Sequence, residues 1–104
     1  MVQSFVRRPT YVGVSPVLEE FVPYGEQEMD VRVVGWEVVR YDKRDHTRIS
    51  VVAKVHLSQG SANRWLVQWT DCTVSKLLGK NLTERQAIVV ASAAILQFRK
   101  TGLV

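Results

Sequence analysis

The run RISVVAKVHL, residues 48–57, alternates more cleanly than any other part of the chain. Ile49, Val51, Ala53, Val55 and Leu57 fall on one side, and four of the five residues between them are polar. A period of two with one wet side is the pattern of a strand in an antiparallel sheet with one face on a core. Upstream, the polar stretch 42–47 (DKRDHT) reads as a turn. Residues 31–41 read as a strand, being rich in β-branched side chains with Val34, Trp36 and Val38 on one face and Gly35 marking a bulge or a close contact. Downstream, 58–63 with Gly60 forms a second hairpin loop, and 64–70 returns with Trp65, Val67 and Trp69 on one side.

The ends of the chain read as helical. Thr83 followed three residues later by Gln86 has the capping-box spacing, and the helix it opens is expected to run to about Lys100 and stop at Gly102. Ala87, Ala91, Ala94 and Phe98 form one stripe that lets the helix sit close on a sheet. Ile88, Val89, Val90, Ile95 and Leu96 give more apolar surface than one sheet can cover. Ser15-Pro16 has the form of a helix start, so 16–22 is expected as a short helix burying Val17, Leu18 and Phe21. Segments 23–30 and 71–82 read as loops. The expected fold is α+β, in the order α-β-β-β-α: a three-stranded antiparallel sheet packed against a C-terminal helix. An N-terminal arm (1–13) precedes one domain (14–101).

A chain of 104 residues with 46% apolar side chains fills one core. The single cysteine, Cys72, makes no internal disulfide, and with only His46 and His56 beside it no metal framework is expected. No serine sits in a nucleophile elbow, no glycine motif cradles phosphate, and no acid pair stands out, so neither catalysis nor a cofactor is expected. No apolar run approaches the roughly 20 residues that span a bilayer. The first 18 residues, with Arg7, Arg8 and no acid, read as an ordinary basic arm rather than a transit peptide, and an intracellular, cytoplasmic location is expected.

The net charge of +4 is unevenly spread. Residues 1–52 carry seven basic and eight acidic side chains, whereas 53–104 carry seven basic and two acidic. The second half therefore attracts anions. Lys76, Lys80 and Arg85 cluster around the start of the last helix, where the helix dipole also favours an anion. Trp65 and Trp69, at period two in a strand, are expected in the core rather than as base-stacking platforms.

These segments resemble the double-stranded RNA-binding domain. Residues 16–21 (PVLEEF) are similar to that family's opening helix, 36–40 (WEVVR) to its first strand, and Arg44-Asp45-His46 to the turn whose histidine enters an RNA minor groove. The run 79–87 (GKNLTERQA), with Ala91-Ser92 and Ile95-Leu96, is similar to its glycine-containing loop and alanine-rich helix. The resemblance covers residues 14–100. It implies a module that recognises the A-form shape of double-stranded RNA, with His46 in the minor groove and Lys76, Lys80 and Arg85 on phosphates. Two departures stand out. The family's three helix lysines are here Glu84, Arg85 and Ile88, and the turn lacks the glycine and proline that precede the histidine. Together with the surplus apolar helix surface, this gives the alternative of a protein-interaction or dimerisation domain that has lost RNA binding, with Ile88, Ser92 and Leu96 as its contact residues.

Overall fold

The computed structural model describes residues 9–21 and 30–104. Its elements are β1 (Thr10–Phe21), β2 (Asp30–Asp42), β3 (Arg48–Gln59), a short 3₁₀ turn (Ser61–Asn63), β4 (Trp65–Asp71), β5 (Ser75–Leu82) and α1 (Glu84–Thr101). The strands form one antiparallel sheet in the order β1-β2-β3-β4-β5, a simple meander. The expected three-stranded α-β-β-β-α layout is therefore corrected at two places.

The segment expected as an opening helix is the second half of β1. Along β1 the residues alternate, with Tyr11, Gly13, Ser15 and Val17 on one side and Val12, Val14, Pro16 and Leu18 on the other. Pro16 suits a helix start and an edge strand equally, because both leave one backbone N–H unused, and β1 is an edge. Pairing with the long strand β2 over its whole length decides between them. Residues 22–29, which hold most of the expected loop 23–30, lie outside the described residues, as does most of the expected N-terminal arm. Thr10 to Gly13 of that arm already belong to β1.

The expected loop 71–82 is a tight turn followed by β5. Two register shifts against β4 break its alternation: Leu78 is an extra residue at one, and Lys80 and Asn81 together oppose Leu66 at the other. Asn81 takes a left-handed φ of 55°, and a Cβ on Gly79 would lie 2.7 Å from Leu82 Cδ1. Those residues look like loop formers in sequence, yet here they bend an edge strand.

The helix is where the sequence places it. Thr83 Oγ1 accepts from Gln86 N (3.1 Å), Gln86 Oε1 accepts from Thr83 N (2.9 Å), and Gly102 ends the helix at φ 73°. Helix α1 packs across β3, β4 and β5. Ala87, Ala91 and Ala94 lie against a sheet surface of Val38, Ala53, Val55, Leu57, Val67 and Trp69, all buried. Burying each fully enclosed valine or larger side chain contributes about 1.5–3 kcal/mol relative to exposure. Trp69 is fully enclosed, packs on Phe98 with ring centroids 5.2 Å apart, and donates its indole N–H to Asp71 Oδ2 at 2.7 Å. Trp69 is thus a core residue, as expected, and Trp65 is partly buried against the core.

Bulges reassign part of the β3 pattern. Val38 pairs with Ala53 but Val39 with Val51, leaving Val52 as the extra residue, so Val52 packs against the core while Val51 and Ile49 are exposed. Gly35 is a close contact: a Cβ there would lie 2.1 Å from the Val55 carbonyl oxygen. Gly35→Ala is expected to cost about 3 kcal/mol, the upper end of the usual overpacking range, because the atom met is backbone. Gly60→Ala, whose Cβ would meet nothing nearer than 3.6 Å, should leave the urea midpoint almost unchanged. Equal midpoints for the two variants would contradict this β2–β3 approach.

Asp71 closes the β4–β5 turn. Its Oδ1 accepts from Thr73 N (2.7 Å), Thr73 Oγ1 (2.7 Å) and Val74 N (2.9 Å). The Trp69 indole above all, then the Thr73 donors, hold its carboxyl well below the usual carboxylate range. A depressed folded pKa means stability that is present above the unfolded value and fades as the pH falls. The melting-temperature gap between the wild type and Asp71→Asn is therefore expected to be widest at neutral pH and to narrow below about pH 4. A gap that widens in acid would contradict this role.

Candidate nucleic-acid interface

Because α1 lies on one side of the sheet, the other side is open. Cross-strand register places its residues in rows, since paired residues share a face. One row crosses all five strands as Ser15, Glu37, Lys54, Thr70 and Ser75. The next reads Val17, Gly35, His56, Gln68 and Leu77. The 3.3 Å contact between Thr70 Oγ1 and Ser75 Oγ confirms that these neighbours share the face. Lys54, His56, Gln68, Thr70 and Ser75 are exposed.

Glu37 is the carboxylate in these two rows, and Arg48 reaches along the face to pair with it. Val39, between Glu37 and Tyr41 on β2 and paired with Gly13 and Val51, is fully buried on this otherwise open side. At the same end, Tyr11 stacks on Tyr41 with centroids 5.2 Å apart. At the opposite corner Glu19 sits in register with Arg32, so charge there is balanced in kind. Among the described residues Lys54 is the remaining cation across the middle, with the Arg48-paired Glu37 opposite it on β2 and hydroxyl, amide and imidazole groups on its other sides. Such a surface offers a cation and several hydrogen-bonding groups to an anionic polymer, with His56 the one ring and no tryptophan, tyrosine or phenylalanine in either central row.

The residues singled out from sequence are not brought together. His46 lies in the β2–β3 turn at φ 60°, with Nδ1 3.1 Å from Tyr11 Oη and its edge against the Tyr11 ring. Lys76 is opposite Trp69, on the helix side, and its Nζ donates to the Val104 main-chain oxygen. Lys80 and Arg85 are exposed at the end of β5 and the start of α1. The reason is strand parity. A fifth strand carries the chain back down the sheet before the helix begins, so α1 starts at the end remote from His46. The length of β3 separates the two ends, roughly 35 Å at about 3.3 Å per residue. The arrangement the resemblance implies, with His46 and the helix N-terminus reading adjacent grooves, is absent from this fold.

Lys54, Gln68 and Thr70 were not singled out from sequence. The polar half of the alternation in β3 was the available signal, but only the pairing register shows which polar residues of other strands stand beside it. Among the described residues no helix is long and apolar enough to cross a membrane. Comparisons with protein-family models, with curated proteins and with solved structures give no match for this chain.

Proposed function

We propose that the domain binds RNA through the open face of its sheet, contacting the sugar–phosphate backbone rather than the bases. The observation that carries this reading is the pair of five-strand rows around Lys54, whose carboxylate is already neutralised by Arg48. Backbone contacts are made by cations, hydroxyls and amides, which are the groups these rows present. Single-strand binders depend on exposed aromatic platforms. Here the tryptophans are turned into the core or half-buried beside it, which favours a duplex recognised by its shape and 2′-hydroxyls. The net charge of +4 supports the encounter.

A fluorescence-anisotropy titration tests this with a duplex RNA of about 20 base pairs, the matching single strand and the matching DNA duplex, over a salt series. Saturable binding is expected, tightest for duplex RNA and weakening steeply with salt. Lys54→Gln should weaken it about tenfold and lower the salt slope by about 1, with little change in the melting temperature. Arg85→Glu, on the far side, should matter much less. No binding at low salt, or equal losses for both variants, would overturn the assignment.

A further inference from the structure

The helix side of the sheet is not fully covered. Helix α1 lies over β3–β5, and the β1–β2 pair beside it shows Val14 and Leu18 at 37% and 57% exposure. The outer face of α1 exposes Ile88 (40%), Val89 (61%) and Leu96 (57%). Ile88 and Trp36 line one groove of about 570 Å³ between the helix and β2, with Val33, Trp65 and Glu84. Exposed apolar side chains thus run from the helix across this groove to the neighbouring hairpin.

The helix part of this surface has a self-complementary pattern. Ile88, Ser92 and Leu96 are spaced four residues apart and form one row along the helix. The row is symmetric about Ser92: an aliphatic residue lies four positions to either side, and eight positions out lie Glu84 at one end and Lys100 at the other. Two such helices placed antiparallel across a two-fold axis at Ser92 would set Ile88 of each copy against Leu96 of the other. Glu84 would face the last-turn cations Arg99 and Lys100 of the other copy, beside Arg85 of its own helix. A two-fold interface requires this self-complementarity, in which residue i meets j and j meets i. The small Ser92 side chain permits close approach at the crossing point.

We infer that a second copy of this chain covers the outer face of α1, forming a symmetric dimer crossed at Ser92. The inference rests on the helix side and is independent of the proposed RNA face, so either can fail alone. Sedimentation equilibrium of the full chain is expected to give a dimer. Ser92→Cys in a Cys72→Ser background should form a disulfide-linked dimer on mild oxidation, because only residues at the axis bring their Cα atoms within about 7 Å of their own copies. Gln97→Cys, also exposed but turned away from this row, should not. Glu84→Lys should weaken the dimer at least tenfold and Lys100→Glu added to it should restore association, a rescue that does not depend on tolerance of a core change. A monomer at all concentrations, equal crosslinking at 92 and 97, or no rescue by the charge exchange would overturn the inference.

Discussion

The packing of Ala87, Ala91 and Ala94 of the helix onto Val55, Val67 and Trp69 gives the sheet two unlike sides. Alanine brings the helix axis near the strands, so the bulky partner in the seam is contributed by the sheet, above all by Trp69. Once that side is filled, the alternation of every strand fixes what the opposite side presents. The Trp69 indole is satisfied by Asp71, the same carboxylate that shapes the next turn. Core, turn and edge strand are thereby coupled through two residues. The direction of β5, and so the end at which the helix begins, follows from that turn.

Much of this was legible in the chain. The β3 alternation from Ala53 to Leu57, the hairpin at Gly60, the core position of Trp69 and the capped C-terminal helix are local signals, and each is realised, whereas the first half of the β3 pattern is displaced by bulges. Two elements were hidden by ambiguity in single residues. Pro16 after Ser15 has the same meaning for a helix start as for an edge strand, and the choice is made by pairing with β2, a contact remote in sequence. In β5 the glycine and asparagine that serve as bulge positions are the residues that punctuate loops, and the two register shifts erase the period that reveals a strand. The consequence reaches beyond local structure. One unrecognised strand reverses the end of the sheet from which the helix departs, and so separates His46 from Lys80 and Arg85.

The candidate site was harder to read for a related reason. A row across five strands takes one residue from each, so no contiguous motif carries it, and bulges at Val52 and Val34 shift the count. What sequence did indicate was the excess helix surface: Ile88 and Leu96 stand exposed on the outer face of α1 with Ser92 between them. The two sides divide the chemistry. The open face carries Lys54 and polar groups at its centre, with its carboxylate paired and Leu77 and Val51 exposed toward its margins, and the outer helix row is apolar with opposite charges at its ends. A dimer formed through the helices would leave both open faces free, and two weak backbone-binding surfaces joined in this way gain affinity through effective concentration.

The most direct test of RNA recognition by the open sheet face is amide chemical-shift mapping of the ¹⁵N-labelled protein against a short duplex RNA. Shifts are expected to concentrate at Lys54, His56, Gln68 and Thr70 and their row neighbours, while the amides of Ile88, Ser92 and Leu96 stay in place. Shifts gathered on the first turn of the helix around Arg85, or spread along its outer face with the sheet unaffected, would contradict it.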